Sequence, residues 1–181
     1  MAREVRTTTP HRAIQRASTS AAEDWDDKDL QLVGFRIGKE TFGVPIGLVH
    51  EIVRVPEITA VPDAPDYVEG VINLRGKIIS IVDLRKRFGE TKIEASSKNR
   101  ILVAEIEKRL VGLIVDAASE VIRLPHSEID APPEVFEESE VKYVTGVGKL
   151  NGRLVILIDL TKILQQGELR RLGDLVGAPT A

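Results

Sequence analysis

Hydrophobic and polar residues alternate with a period of two over 32–44, interrupted only by polar turn residues at 38–40. Such alternation is typical of β-structure with one buried face, so this segment predicts two strands joined by a turn. The segment 46–53 predicts a helical turn that leads into a third strand ending near Val55. Three prolines then break regular structure in the loop 56–66.

Two further strand pairs are predicted, one around Arg75-Gly76 and one around Asn151-Gly152. Asn-Gly between apolar runs is a strong hairpin signal, because both central residues of the favoured turn need a positive φ. The strands after the turns, 77–82 and 154–158, carry apolar residues at successive positions. A strand with one wet face would alternate, so we expect these strands to be covered on both sides.

The chain contains an internal copy of itself. Residues 67–88 align with 143–164 without a gap, and nine of these 22 positions are identical. Upstream the similarity continues at an offset of 69 rather than 76 residues, so the second copy has seven extra residues between Pro125 and Tyr143. We call the residue at the matching position of the other copy its counterpart. Two similar copies of this length indicate one duplicated domain, which we expect to fold as two small lobes packed on each other.

Shorter signals complete the outline of the chain. Asp83 and Asp159 end their strands and predict N-caps of short helices, and capping explains both copies better than acid–base or metal chemistry does. Residues 90–99 are predicted to link the copies, and short helices are predicted over about 160–177. Residues 1–29 lack apolar periodicity and are rich in Thr, Ser, Ala and charge, which predicts a disordered N-terminal extension.

Composition narrows the class of protein. The 181 residues are 43% hydrophobic, which is enough to bury real cores, and they include no cysteine. Disulfides, a thiol nucleophile and a cysteine-based zinc site are therefore excluded. A formal charge of −3 and only 4% aromatic residues argue against a nucleic-acid binder. No apolar run is long enough for a membrane span and no signal peptide opens the chain, so we expect a cytoplasmic protein.

The sequence offers little for catalysis. The three histidines, His11, His50 and His126, show no metal-ligand spacing. Gly146-Val-Gly148 opens a predicted strand rather than a helix and is not followed by a lysine–serine pair, so it is a poor phosphate loop. No serine or threonine has an obvious local nucleophile context. We therefore expect no enzyme activity, no metal and no cofactor.

Several blocks of sequence resemble the CheW family of bacterial chemotaxis coupling proteins. They include Gly-Phe-Arg-Ile-Gly-Lys-Glu-Thr-Phe-Gly-Val at 34–44, Val-His-Glu-Ile at 49–52 and the segment 70–89 with Asn-Leu-Arg-Gly in it. The downstream blocks at 111–116 and 143–148 match in the same order. The resemblance runs from about Leu30 to Gly173.

The resemblance implies a mainly β fold of two pseudo-symmetric five-stranded SH3-like barrels, with short C-terminal helices. The CheW-like domain would cover 30–177, with a first half at about 30–89 and a second at about 100–166. The implied function is a non-enzymatic adaptor that joins the cytoplasmic tips of methyl-accepting chemoreceptors to the regulatory domain of the histidine kinase CheA. Such a protein would reach membrane receptor arrays through its partners.

The two copies provide a way to weigh individual residues. Arg75 has Asn151 as its counterpart, and arginine is a poor residue for a positive-φ turn position. This favours a binding role for Arg75, and the family motif assigns it to receptor contact. The alternative is that another turn type tolerates arginine there. Glu51 has the counterpart Glu120, so by itself it is equally well explained as a structural carboxylate.

The family match places a receptor-binding groove between the lobes. Its predicted residues are Val49, Glu51, Arg75, Ile78, Ile101, Leu102, Gly112 and Val121. For the apolar members of this set a role in the core is at least as good an explanation. The kinase-binding surface is not assigned, and neither is the role of the acidic loop 126–142.

Two rival functions stay open at this stage. A CheW-like protein of another receptor–kinase array, serving pilus motility or gene regulation, would have the same barrels. A small-barrel enzyme or nucleic-acid binder belongs to a different class, and melting shifts with nucleotides or RNA would reveal it.

Overall fold

The computed structural model describes residues 29–134 and 142–164. The predicted N-terminal extension up to residue 28 and the last predicted helix lie outside the described residues, whereas Asp29 already belongs to the first strand. The strands of the described part are β1 (Asp29–Ile37), β2 (Glu40–Pro45), β3 (Val49–Arg54), β4 (Val68–Leu74), β5 (Lys77–Asp83), β6 (Arg100–Ile106), β7 (Arg109–Val115), β8 (Ala117–Pro125), β9 (Ile129–Asp130), β10 (Val144–Leu150) and β11 (Arg153–Ile158). Two short α-helices, Leu84–Arg87 and Leu160–Ile163, follow β5 and β11, and 3₁₀ turns at Ile46–Leu48 and His126–Glu128 precede β3 and β9.

The strands form two sheets, which confirms the mainly β fold; closure of each sheet into an SH3-like barrel stays a prediction. The order in the six-stranded sheet is β8-β1-β2-β11-β10-β9, and in the five-stranded sheet it is β3-β6-β7-β5-β4. The additional strand, β9, has two residues and lies in the segment that contains the seven-residue insertion.

The two sheets do not coincide with the two copies of the sequence. Each sheet combines the first two strands of one copy with the later strands of the other, which are β3–β5 in the five-stranded sheet and β8–β11 in the six-stranded sheet, so the copies are interlocked. This corrects the expectation that each copy forms its own lobe. Strands of different copies form two parallel pairs, β2 with β11 and β5 with β7. Gly43 lies opposite Leu157 in the first pair, and its counterpart Gly112 lies opposite Ile81 in the second.

The hydrophobic core extends between the sheets and into each of them. The largest cluster takes residues from both, such as Phe35 and Val44 from one and Leu102 and Leu113 from the other. A second cluster lies in the five-stranded sheet and a third in the six-stranded sheet. Residues 79–83 of β5 are buried at successive positions, which confirms coverage on both sides for this part of the strand. The prediction is wrong at the start of both strands, because Ile78 is 52% exposed and Leu154 in β11 is 58% exposed.

Both hairpin turns have the predicted conformation. Arg75 and Gly76 have φ of 51° and 84°, and Asn151 and Gly152 have φ of 48° and 77°. The helix N-caps are also confirmed, because the Asp83 carboxylate accepts a hydrogen bond from the Arg85 amide and the Asp159 carboxylate accepts one from the Thr161 amide.

A buried ionic network ties the copies together beside the linker. The Arg85 guanidinium donates to Asp83 at 3.0 Å and to Asp116, which lies just after β7, at 3.2 Å. Asp116 in turn accepts a 2.7 Å hydrogen bond from the amide of Gly38 in the β1–β2 turn. Burial by itself lowers the pKa of Arg85, but the hydrogen bonds and charges of Asp83 and Asp116 outweigh this and raise the pKa above its ordinary value.

Candidate protein-binding site

The tip of the β4–β5 hairpin is joined to strand β3 by an ion pair between Arg75 and Glu51. Arg75 Nη1 lies 2.7 Å from Glu51 Oε1 and Nη2 lies 2.9 Å from Oε2, which is the parallel two-bond geometry favoured by guanidinium and carboxylate. The Arg75 side chain is 77% exposed and that of Glu51 is 23% exposed. The structure therefore brings together two predicted site residues that are 24 positions apart in the chain.

Arg75 adopts the left-handed conformation that disfavours arginine. Its φ of 51° excludes the alternative in which another turn type tolerates the residue. The turn itself is held by Asn73, whose side-chain oxygen accepts a 2.9 Å hydrogen bond from the Gly76 amide. A left-handed non-glycine residue costs about 1–2 kcal/mol, and an exposed ion pair contributes about 0–1 kcal/mol. Local stability does not explain why arginine occupies this position.

Apolar side chains are exposed on the same two elements. Ile78, opposite Asn73 in the hairpin, is 52% exposed, and Ile52, next to Glu51 on β3, is 38% exposed. Val49 is half-buried and packs against the core between the sheets. We call Glu51, Ile52, Arg75 and Ile78 the Arg75 surface; because Glu51 and Ile52 point to opposite faces of β3, this surface runs around an edge strand of the sheet. Ile52 was not among the predicted residues, although it is an apolar residue directly beside one that was.

Three predicted groove residues lie in the core instead. Ile101 and Leu102 are 0% exposed, because β6 is a central strand of its sheet and is covered on both faces. Gly112 is buried beside them, and a Cβ at this position would come within 2.4 Å of Ile81 Cδ1 and 2.9 Å of Ile101 Cγ2. In the folded chain these residues shape the sheet, and their contact with a partner stays a prediction.

Val121 belongs to a different surface. It lies on β8 of the six-stranded sheet opposite Val33, and at 61% exposure it is the most exposed large hydrophobic residue described. It is the counterpart of Ile52, and the neighbouring Glu120 lies 3.6 Å from Arg153, counterpart of Lys77. The duplication has thus produced two related surfaces, one on each sheet, and only the first has the close two-bond ion pair.

The chemistry of the Arg75 surface is that of a binding site. It offers an oriented guanidinium, a carboxylate and exposed apolar area, which together suit recognition of a protein segment. Within residues 29–134 and 142–164, no group of three or more His, Asp or Glu side chains is placed to hold a metal ion. In the same part of the chain, no helix is long and apolar enough to cross a membrane.

Comparison with known proteins adds independent findings. The family model described as CheW-like domain matches residues 31–168. The chain is 34% identical over 154 residues to the chemotaxis protein CheW of Treponema pallidum, covering 83% of this chain and 91% of that protein. It is 35% identical over 150 residues to chemotaxis protein CheW of Rhizobium meliloti, covering 83% and 97%.

A solved structure resembles the fold described above. The scaffolding protein TtCheW from Thermoanaerobacter tengcongensis superposes with a TM-score of 0.70 at 39% sequence identity, over 76% of this chain and 93% of that one. Similarity in sequence and similarity in three dimensions therefore each extend over at least 76% of this chain.

Proposed function

This chain belongs to the CheW-like family, and on that premise we propose that it is a non-enzymatic adaptor, which couples chemoreceptor tips to a CheA-type histidine kinase in chemotaxis signalling. The partners are the cytoplasmic tip of a methyl-accepting receptor and the regulatory domain of the kinase. Recruitment to a membrane receptor array would follow from these two contacts.

The main support for a receptor-binding site is the conformation of Arg75. An arginine is kept at a left-handed turn position where the second copy has asparagine, and it is held in one orientation by Glu51. Arginine has five N–H donors, and the pair with Glu51 uses two of them. The remaining donors are free to meet acceptor groups on a partner at this highly exposed tip.

The neighbouring apolar residues indicate the form of that partner. A helical segment of the receptor tip that packs its apolar face over Ile52 and Ile78 would gain affinity by burial. The charges of Arg75 and Glu51 would then fix its position along the surface. Val49, half-buried at the base of β3, would support this surface from beneath.

An adaptor of this kind works through several modest contacts. Once one partner is bound in a clustered array, the next association is effectively intramolecular, so overall stability exceeds that of each contact. The kinase would bind a part of the surface away from Arg75, which leaves both partners bound at once.

Calorimetric titration of the full chain with a receptor-tip fragment and, separately, with the kinase regulatory domain tests the proposal. We expect saturable binding of both, and we expect Arg75→Glu to weaken receptor binding by about tenfold or more while kinase binding is retained. The double variant Arg75→Glu with Glu51→Arg restores an ion pair in the opposite orientation. Its free energy of unfolding should stay within about 1 kcal/mol of that of the single variant, and its receptor affinity should stay low. Recovery of receptor affinity would mean that the Arg75–Glu51 ion pair contributes only to the stability of the fold.

A further inference from the structure

Strand β3 contains one residue more than the part of β6 beside it. Val49 pairs with Ala104, and the next pair is Glu51 with Val103. Two positions of β3 therefore match one step of β6, and His50 is the extra residue of a β-bulge. A bulge changes the face of the sheet on which the following side chains lie.

The bulge decides whether Glu51 can reach the hairpin tip. If pairing continued regularly from Val49, Glu51 would lie opposite Leu102, whose side chain belongs to the core between the sheets. In the structure, Glu51 lies on the other face of β3, where the Arg75 guanidinium binds it through two hydrogen bonds. The Arg75–Glu51 ion pair therefore depends on how the bulge is held.

The extra residue is held from the neighbouring strand. His50 Nε2 donates a 2.9 Å hydrogen bond to Glu105 Oε2 on β6, and the two residues are 55 positions apart in the chain. Glu105 lies two residues after Val103, so both project from one face of β6, which is also the face of Glu51. The contact fixes His50 at the bulge, and Glu51 keeps the place opposite Val103.

The other copy shows that the bulge itself does not need this contact. Strand β8 has the same register shift against β1, with Ser119, the counterpart of His50, as the extra residue. The counterpart of Glu105 is Arg36, so a histidine–carboxylate pair cannot form there. The fold of the bulge does not account for the His50–Glu105 contact, which occurs in the copy that carries Arg75.

We propose that His50 is a positioning residue of the Arg75 surface. Its contact with Glu105 fixes the extra residue of β3, so Glu51 keeps the orientation that binds Arg75. The receptor tip then meets a guanidinium that is already oriented, which raises affinity because less side-chain freedom is lost on binding. The effect on affinity rests on the proposed receptor site, whereas the effect on Arg75 can be measured without a partner.

Side-chain NMR signals of the isotope-labelled full chain test the effect on Arg75. A guanidinium held by two hydrogen bonds turns slowly about its Nε–Cζ bond, so we expect separate Nη signals for Arg75, assigned by their loss in Arg75→Asn. His50→Ala should average these signals, and Glu105→Ala should do the same from the other side of the contact. His50→Gln should keep them separate, because a glutamine amide can donate to the Glu105 carboxylate.

Calorimetry of the full chain with the receptor-tip fragment tests the effect on affinity. Both side chains of the His50–Glu105 pair are 47% exposed, so we expect His50→Ala to weaken binding by only about three- to fivefold and His50→Gln to restore it. In the Arg75→Asn background, His50→Ala should have no further effect, because it acts through Arg75. Ser119→Ala is the matched control at the bulge of β8 and should change neither the Arg75 signals nor receptor binding.

Three results would overturn the proposal. They are unchanged Arg75 signals in His50→Ala and Glu105→Ala, an equal loss of affinity from His50→Ala with and without Arg75, and averaged Arg75 signals in Ser119→Ala. Either alanine variant of the pair is sufficient if the other fails to give a dispersed spectrum. If the unaltered chain does not bind the receptor fragment, the proposed function fails, and the Arg75 signals still decide whether His50 positions this side chain.

Discussion

Asn151 occupies in the second hairpin the left-handed position that Arg75 occupies in the first, with φ of 48° and 51°. The two turns share one backbone geometry, and only one of them carries a residue that suits it. Comparing Arg75 with Asn151 is therefore an internal control, because it separates the conformation that the turn requires from the binding groups that an arginine side chain adds.

Exchanging these residues gives the first prediction. Arg75→Asn should leave the free energy of unfolding unchanged or raise it by up to about 1 kcal/mol, since asparagine tolerates the left-handed region better than arginine does. The same variant should weaken receptor-tip binding about tenfold, as measured by calorimetry. Asn151→Arg is the control: it should lower stability by about 1 kcal/mol in urea titrations and leave receptor binding intact. Unchanged receptor affinity in Arg75→Asn would remove Arg75 from the site.

Gly112 gives a second prediction, which separates packing from contact with a partner. A Cβ at Gly112 would meet Ile81 Cδ1 at 2.4 Å, whereas at its counterpart Gly43 the nearest atom is Leu32 Cδ1 at 3.1 Å. Gly112→Ala should therefore destabilise the fold by about 1–3 kcal/mol, and Gly43→Ala by less. Chemical denaturation measures both. Full stability combined with lost receptor binding in Gly112→Ala would show that the residue does contact the receptor.

The buried network around Arg85 gives a third prediction. Arg85→Met removes the partner of Asp83, which is 1% exposed, and leaves a buried carboxylate uncompensated. Breaking a buried ion pair in this way typically costs about 3–5 kcal/mol. The neighbouring Lys86→Met is the control, because Lys86 pairs with Glu69 at a partly exposed site and should cost no more than about 1 kcal/mol. Similar unfolding midpoints for the two variants would contradict the role given to Arg85.

The interlocked copies give a fourth prediction. Neither fragment 1–92 nor fragment 93–181 holds all strands of either sheet, so each should be unfolded alone. Mixed together they should form the native sheets, which circular dichroism and NMR dispersion would detect. A full chain cut by an inserted protease site within 92–98, where most side chains are exposed, should likewise stay folded. Cooperative unfolding of either isolated fragment would show that a copy folds by itself.

Local signals in the sequence were sufficient for the parts of the fold that depend on local physics. Alternation placed the first strands, and the pair Asn151-Gly152 placed a turn whose positive φ values are confirmed. The capping roles of Asp83 and Asp159 followed from a short polar side chain at the end of an apolar run. The mainly β fold and the family were recognisable for the same reason, since ordered blocks of sequence carry these local features.

The tertiary structure alone decided which strands pair and which apolar residues stay exposed. Because the two copies have similar patterns, a strand can pair within its own copy or with the other and bury similar apolar faces, so periodicity cannot choose between them. Ile78 and Ile101 both lie in apolar runs, yet one is 52% exposed at the end of a hairpin and the other is 0% exposed in a central strand. The Arg75–Glu51 contact likewise depends on how a hairpin tip meets β3. Such contacts are set by the packing of distant segments, whereas turns and caps are set by a few neighbouring residues.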